Sequence, residues 1–225
     1  MISVQASKGV ARRRIVLLGG PGSGKGTAAA WLAKRLEVPH LSTGDMIRAE
    51  VSAGTALGRE AAGHLAVGRL APDDLVLRLV AERLRKGNRD GFVFDGFPRT
   101  VAQAEGFDRL LRERATLLDR ALHLEISQTS VEARIIGRIG CSGCGKVYHA
   151  THLPPREPGV CDACGGALEK RADDRLDVLR ARWRIYNSGG PRLVEFYRRQ
   201  GKLAEIAADV APERLYAAVW EACAA

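Results

Sequence analysis

The stretch Gly19-Gly20-Pro21-Gly22-Ser23-Gly24-Lys25-Gly26-Thr27 constrains the fold more than any other, because of what stands on either side of it. Before it comes the apolar run Ile15-Val16-Leu17-Leu18, the signature of a strand buried on both faces, and after it Thr27 to Leu36 carries a helical pattern. A strand, a glycine turn and a helix in that order form an anion cradle. The glycines let successive backbone N–H groups point inward, the helix start adds partial positive charge, and Lys25 reaches the outer phosphates. The spacing fits Gly-x4-Gly-Lys, and the loop predicts a nucleotide site. The residue after Lys25 is Gly26, so the hydroxyl that usually stands on the magnesium side moves to Thr27.

The rest of the chain supplies the layers such a loop needs. Ser42, Thr43 and Asp45 are good helix starters, and two short helices punctuated by Gly54, Gly58, Gly63 and Gly68 follow. Pro72-Asp73-Asp74 opens a helix with Leu75, Val76, Leu79, Val80 and Leu84 on one face and Gly87 as its stop. Phe92-Val93-Phe94-Asp95 reads as a buried strand, Thr100 to Arg114 as a helix and Ala121 to Ile126 as another strand, with His123 at the edge of the core. Thr129 and Glu132 have the spacing of a capping box for a helix through Ile139. A long helical stretch resumes at Asp173 and is expected to be interrupted at Gly189-Gly190-Pro191; Leu203 to Ile206 is a last strand and Pro212 to Cys223 a last helix. Alternating strands and helices predict a parallel α/β sheet covered on both faces, with ligands at the strand C-termini.

Between Cys141 and about Lys170 the periodicity gives way to Pro, Gly and Cys. Cys141-x2-Cys144 and Cys161-x2-Cys164 have zinc-ribbon spacing, and glycine follows each pair. Four thiolates close a tetrahedron and leave no position for water, so the predicted zinc is structural; a redox dithiol is the rival reading.

Asp95 ends its strand where phosphate-loop enzymes place the acid that orients magnesium. Gly96 follows it, not the glutamate that activates water in hydrolysing ATPases, which argues for transfer to another acceptor. Arg134 and Arg138 are four apart on one predicted helix, and Arg171 and Arg182 are eleven apart, so each pair is expected to share a face. The two pairs bracket the cysteine insertion and read as phosphate clamps.

The net charge of +9 does not by itself select a partner, since 28 of the 35 basic residues are arginines dispersed along predicted helices. No apolar stretch approaches the ~18 residues of a membrane span, and Met1 to Arg14 lacks the apolar middle of a signal peptide, so the expected location is cytoplasmic.

With these residues in place, the chain resembles the adenylate kinase family in its long form with a zinc-holding lid. The matching pieces are Gly20 to Thr27, Ser42-Thr43-Gly44-Asp45-Met46-Ile47-Arg48, Asp95-Gly96-Phe97-Pro98-Arg99-Thr100, the four cysteines with Val147-Tyr148-His149, and Arg171-Ala172-Asp173-Asp174. The resemblance implies a P-loop NTPase-type parallel sheet flanked by helices, with a helical AMP-binding insertion and a zinc-ribbon lid insertion. It implies a core of residues 1–42, 72–138 and 171–225, an AMP-binding domain of 43–71 and a lid of 139–170. It places ATP on Gly22, Ser23, Gly24, Lys25, Gly26, Thr27, Arg138, Val147, Tyr148 and Val210. It places AMP on Thr43, Arg48, Arg69, Leu70, Ala71, Gly96, Phe97, Pro98, Arg99, Gln103, Arg171 and Arg182. Catalysis falls to Lys25, Asp95, Arg99, Arg134, Arg138, Arg171 and Arg182, with Mg2+ accompanying ATP and Zn2+ on Cys141, Cys144, Cys161 and Cys164. The implied reaction is ATP + AMP = 2 ADP. The implied partners are small nucleotides, neither nucleic acid nor membrane, and the implied state is a monomer. Three departures stand out: Ala28 follows Thr27 where the family usually has glutamine, Ala207-Ala208 replaces an expected Asp-Gly near Val210, and Arg192 stands where the family commonly has proline. Rival readings are a kinase for another nucleoside monophosphate or donor and, in a different class, a zinc-ribbon nucleic-acid-binding protein.

Overall fold

The computed structural model describes residues 13–85, 87, 91–151, 153–170 and 176–224. Strand β1 (Arg14–Gly19) lies in the middle of a five-stranded parallel sheet. Its order is β2 (His40–Ser42), β3 (Phe92–Asp95), β1, β4 (Arg120–Glu125) and β8 (Leu203–Ala207). The apolar run in β1 divides by alternation. Ile15 and Leu17 face one layer and Val16 and Leu18 the other, and none of the four is more than 4% exposed.

The first layer is α1 (Lys25–Leu36) with α8 (Pro212–Ala224), packed through Ala28, Ala29, Leu32, Leu215 and Val219. The opposite layer contains α4 (Asp73–Arg85), α5 (Val101–Arg112) and α7 (Leu176–Arg199), packed through Leu75, Leu79, Phe107, Leu193 and Tyr197. Two insertions leave this core. One is the helix pair α2 (Thr43–Ser52) and α3 (Ala56–Ala66), capped by Ser42 and Thr55. The other is a small antiparallel sheet, β6 (Val147–His149), β5 (Arg138–Cys141) and β7 (Leu168–Glu169).

Three local expectations are corrected. Helix α6 (Gln128–Ile136) stops before Ile139, and the hydroxyl that accepts from its Ser130 N–H is Ser127, at 3.4 Å, not Thr129. Arg138 therefore stands on β5, so Arg134 and Arg138 do not share a helix face. The reason is Gly137, where a Cβ would lie 2.3 Å from the His149 ring: the chain leaves the helix to let β6 close on β5. Third, α7 runs without interruption through Gly189-Gly190-Pro191. An internal proline costs about 3 kcal/mol, but burying side chains such as Leu193, Val194 and Tyr197 contributes about 1.5–3 kcal/mol each, and that burial requires the helix to continue. The expected restart at Asp173, and with it Arg171, lies outside the described residues.

Candidate active site

The loop after β1 opens at the C-terminal edge of the sheet beside the end of β3, whose Asp95 is in register with Leu17. Gly22 and Gly24 have φ of 78° and 83°, a region open to glycine but strained for other residues, and this turns backbone N–H groups toward the concave side. The helix start they lead into has no capping side chain at Gly24 and no acidic residue in the first turn of α1. Its N–H groups and partial positive charge are thus available to an anion. Trp183 fixes the loop from beneath, since a Cβ on Gly20 would lie 2.3 Å from its ring.

Lys25 is partly buried, and its ammonium donates to the Gly20 carbonyl at 3.0 Å. Removal from water lowers its pKa to about 8; Asp95 works in the opposite direction, while Arg99, Arg138 and Arg182 lower it further. Four cations from α1, the loop after β3, β5 and α7 thus act on one spot. Asp95 is the counter-charge. Its Oδ2 would be 3.0 Å from a Cβ on Gly26, so the glycine that displaced the usual hydroxyl is what lets the carboxylate approach α1. Asp95 Oδ1 is buried and lacks a hydrogen-bond partner among the described residues, a donor set fitted to a hydrated cation. Thr27, to which the hydroxyl moved, is exposed on α1.

Next to this spot, the Gly96 carbonyl accepts from Thr43 Oγ1 at 2.9 Å and from Arg99 Nε at 2.7 Å. Gly96 has φ of 71°, and a Cβ there would meet the Arg99 guanidinium at 2.9 Å. Phe97 and Pro98, joined by a cis peptide, are buried behind it. Gln103 is only 1% exposed; its Oε1 accepts from Arg99 N–H at 2.8 Å and its amide donates to Asp73 Oδ1 at 2.7 Å. These two bonds use half of the amide's capacity. Asp73 also accepts from Thr100 Oγ1 at 3.0 Å. Reading the sequence identified Asp73 only as a helix start, because its link to α5 spans 30 residues. Arg48 pairs with Asp45, Arg69 is exposed, Leu70 is half-buried and Ala71 is buried.

The Arg134 guanidinium donates to the Ala208 carbonyl at 2.8 Å, two residues before Val210. Asp209 beside it accepts from Ser127 N–H at 2.8 Å, and that N–H holds its carboxyl below the usual carboxylate range. Val210 lines a depression of ≈ 430 Å³ between β8 and α8.

In the small sheet the sulfurs of Cys141, Cys144, Cys161 and Cys164 converge, with Cys141–Cys164 at 3.5 Å and Cys144–Cys161 at 3.6 Å. A tetrahedron with metal–sulfur bonds of about 2.3 Å has edges of about 3.8 Å, so the cluster matches a closed metal site. Tyr148 is 2% exposed, and its hydroxyl accepts from Asp162 N–H at 2.8 Å and lies 3.4 Å from Cys161 Sγ. That contact holds the Cys161 thiol below its ordinary pKa and favours the thiolate. The Tyr148 side chain packs into the cysteine knuckle, so at the Val147-Tyr148 edge the groups left to face a ligand are the Val147 side chain, on the other face of β6, and the backbone.

The family profile described as adenylate kinase matches residues 17–202. The adenylate kinase of Moorella thermoacetica is 47% identical over 194 residues, covering 86% of this chain and 89% of the relative. That of Desulfitobacterium hafniense strain Y51 is 44% identical over 197 residues, 87% and 91% of the two chains. That of Caldicellulosiruptor bescii is 41% identical over 191 residues, 84% and 89%. With a phosphate loop, an Asp95 counter-charge and converging arginines on a five-stranded parallel sheet, and with such identity along most of its length, the chain belongs to the adenylate kinase family.

Proposed function

We propose that this chain transfers a phosphoryl group reversibly between ATP and AMP, giving two ADP, at the point where Lys25, Arg99, Arg138 and Arg182 converge. The observation that carries the reading is the combined effect of those three arginines on the Lys25 ammonium, beside an uncapped helix start. Gly22 to Thr27 hold the donor phosphates, the Val147-Tyr148 edge and Val210 border the donor, and Arg134, whose guanidinium donates to the Ala208 carbonyl, stands on the donor side with Arg138. Thr43, Arg48, the Arg69 to Ala71 backbone, Gly96 to Arg99 and Gln103 hold AMP.

An oxygen of the AMP phosphate attacks the terminal phosphorus of ATP; the bond to the bridging oxygen breaks, and ADP leaves from both sides. The chain supplies positioning and charge neutralisation for this in-line transfer. Mg2+ bound with ATP would supply positive charge that offsets the phosphates, and Asp95, with its buried and unpartnered Oδ1, is the residue that would hold it through coordinated water. Residues 139–170 close over the donor and exclude water, residues 43–71 close over the acceptor, and the remainder is the core. Cys141, Cys144, Cys161 and Cys164 would hold Zn2+, which would brace the lid as a closed structural site.

No helix among the described residues is long and apolar enough to cross a membrane, in keeping with a cytoplasmic location.

The test compares phosphate release from ATP alone with ADP formation after AMP is added. ADP formation is expected to be faster by at least about 10³. Equal rates would make water the acceptor and overturn the reading.

The acceptor insertion has its own prediction. A Cβ on Gly58 would lie 2.0 Å from the Glu50 carbonyl oxygen, so Gly58→Ala must push α3 off α2. Overpacking costs about 1–3 kcal/mol, and the AMP KM is expected to rise about tenfold while the ATP KM stays within about twofold. Steady-state kinetics with each nucleotide varied in turn reads the split, and parallel losses would assign the insertion to a structural role.

A further inference from the structure

A second cluster of ligand-type groups lies where β4 meets β8, on the face covered by α7. His123 and Glu205 are direct register partners on the two strands, and Glu125 follows His123 by two residues, so all three side chains stand on one face. His123 Nδ1 is 3.9 Å from Glu125 Oε1 and 4.0 Å from Glu205 Oε1, and the three donor atoms lie within 4.8 Å of one another. The His123 side chain is 9% exposed, whereas the glutamates are 58% and 42% exposed, so the cluster opens to solvent on its carboxylate side.

Nδ1 is buried and lacks a hydrogen-bond partner among the described residues. An orphaned buried nitrogen aimed between two carboxylates calls for a ligand. The opposite nitrogen, Nε2, lies 2.6 Å from the Tyr186 hydroxyl. When Nε2–H donates there, the Nδ1 lone pair points at the glutamates and the ring is held in place, the arrangement that orients histidine ligands in metal sites. Burial lowers the His123 pKa below the ordinary value, which keeps that lone pair available at neutral pH.

We propose that His123, Glu125 and Glu205 bind a divalent transition-metal cation of the Zn2+, Co2+ or Ni2+ class, with water completing its coordination. One imidazole with two carboxylates favours such borderline ions over Mg2+ or Ca2+. Donors around a tetrahedral ion at about 2.1 Å are separated by about 3.4 Å, so the carboxylates must close by about half an ångström, which their exposure permits. The competitor is Arg198, which pairs with Glu205 Oε1 at 2.8 Å and also with Glu195. The ion takes the place that the Arg198 guanidinium now shares.

The test titrates the full-length, nucleotide-free protein with Co2+ after its four lid cysteines have been loaded with zinc. Equilibrium dialysis is expected to show one added Co2+ per chain, with weak visible bands of oxygen and nitrogen ligation and without the intense near-ultraviolet band of cobalt–thiolate bonds. Glu125→Gln, a change at a half-exposed side chain, and His123→Gln should each weaken binding by at least about tenfold, and Arg198→Ala should tighten it severalfold. No Co2+ retained at millimolar concentration, retention that neither Glu125→Gln nor His123→Gln reduces, or uptake seen only as a thiolate band would overturn the proposal.

Discussion

Replacing Lys25 by methionine is expected to lower kcat by a factor of at least about 10³ while leaving the free protein at least as stable as the parent at pH 7. The loss of rate follows from removing a cation at the transferring phosphate. The gain in stability follows from what surrounds that cation when no phosphate is bound: removal from water, with Arg99, Arg138 and Arg182 nearby and Asp95 as the opposing charge. Folding lowers the lysine pKa from 10.5 to about 8, so the fold disfavours the ammonium. The sign is the reverse of a salt-bridged lysine. Between pH 8 and 10.5 the unfolded chain holds more protons than the folded one, so the cost is full below about pH 8 and fades as pH rises through that window. The stability advantage of Lys25→Met should therefore be largest at neutral pH and shrink toward pH 10. Bound phosphates reverse the balance around the amine, so ATP binding at pH 9 should be accompanied by proton uptake that is nearly absent at pH 7. Calorimetry in buffers of different ionisation enthalpy measures it. Parental turnover in the variant, or an advantage that grows with pH, would refute the account. The site holds unfavourable positive charge that Asp95 offsets only in part and bound phosphates would relieve.

Keeping metal from the four-cysteine cluster should produce the other large effect. Freshly purified, reduced protein is expected to contain about one zinc per chain, and stripping it, or making Cys144→Ser, should lower Tm by roughly 5–10 °C. Turnover at moderate temperature should fall by less than about threefold, because the cysteines hold the small sheet together through β5 and Tyr148 and stand in a knuckle of their own. Loss of metal also leaves four sulfurs crowded within 4.8 Å, and these cannot all ionise without a cation between them. Differential scanning calorimetry before and after chelation checks it. An unchanged Tm, or protein isolated without metal, would remove the structural role.

Much of this was legible in the chain itself. A strand buried on both faces leaves an unbroken apolar run, Ile15 to Leu18, and a phosphate loop needs glycines at fixed spacing, so β1, the loop and α1 could be read from local pattern. The cysteine pairs were legible for the same reason, since ligand spacing within a knuckle is a local property. What lay between remote segments was not. The sequence places Arg134 and Arg138 four residues apart, yet Gly137 ends α6 against the His149 ring and sends Arg138 to the small antiparallel sheet and Arg134 to the Ala208 carbonyl. It marks Gly190-Pro191 as a break, yet burial of Leu193, Val194 and Tyr197 carries α7 straight through. Local chemistry determined where the glycine loop opens and which sulfurs meet. The tertiary structure decided which arginines face Lys25, why Gly26 stands beside Asp95, and how His123 comes to lie between two carboxylates, because these depend on free energies of packing between elements that no short window of sequence contains.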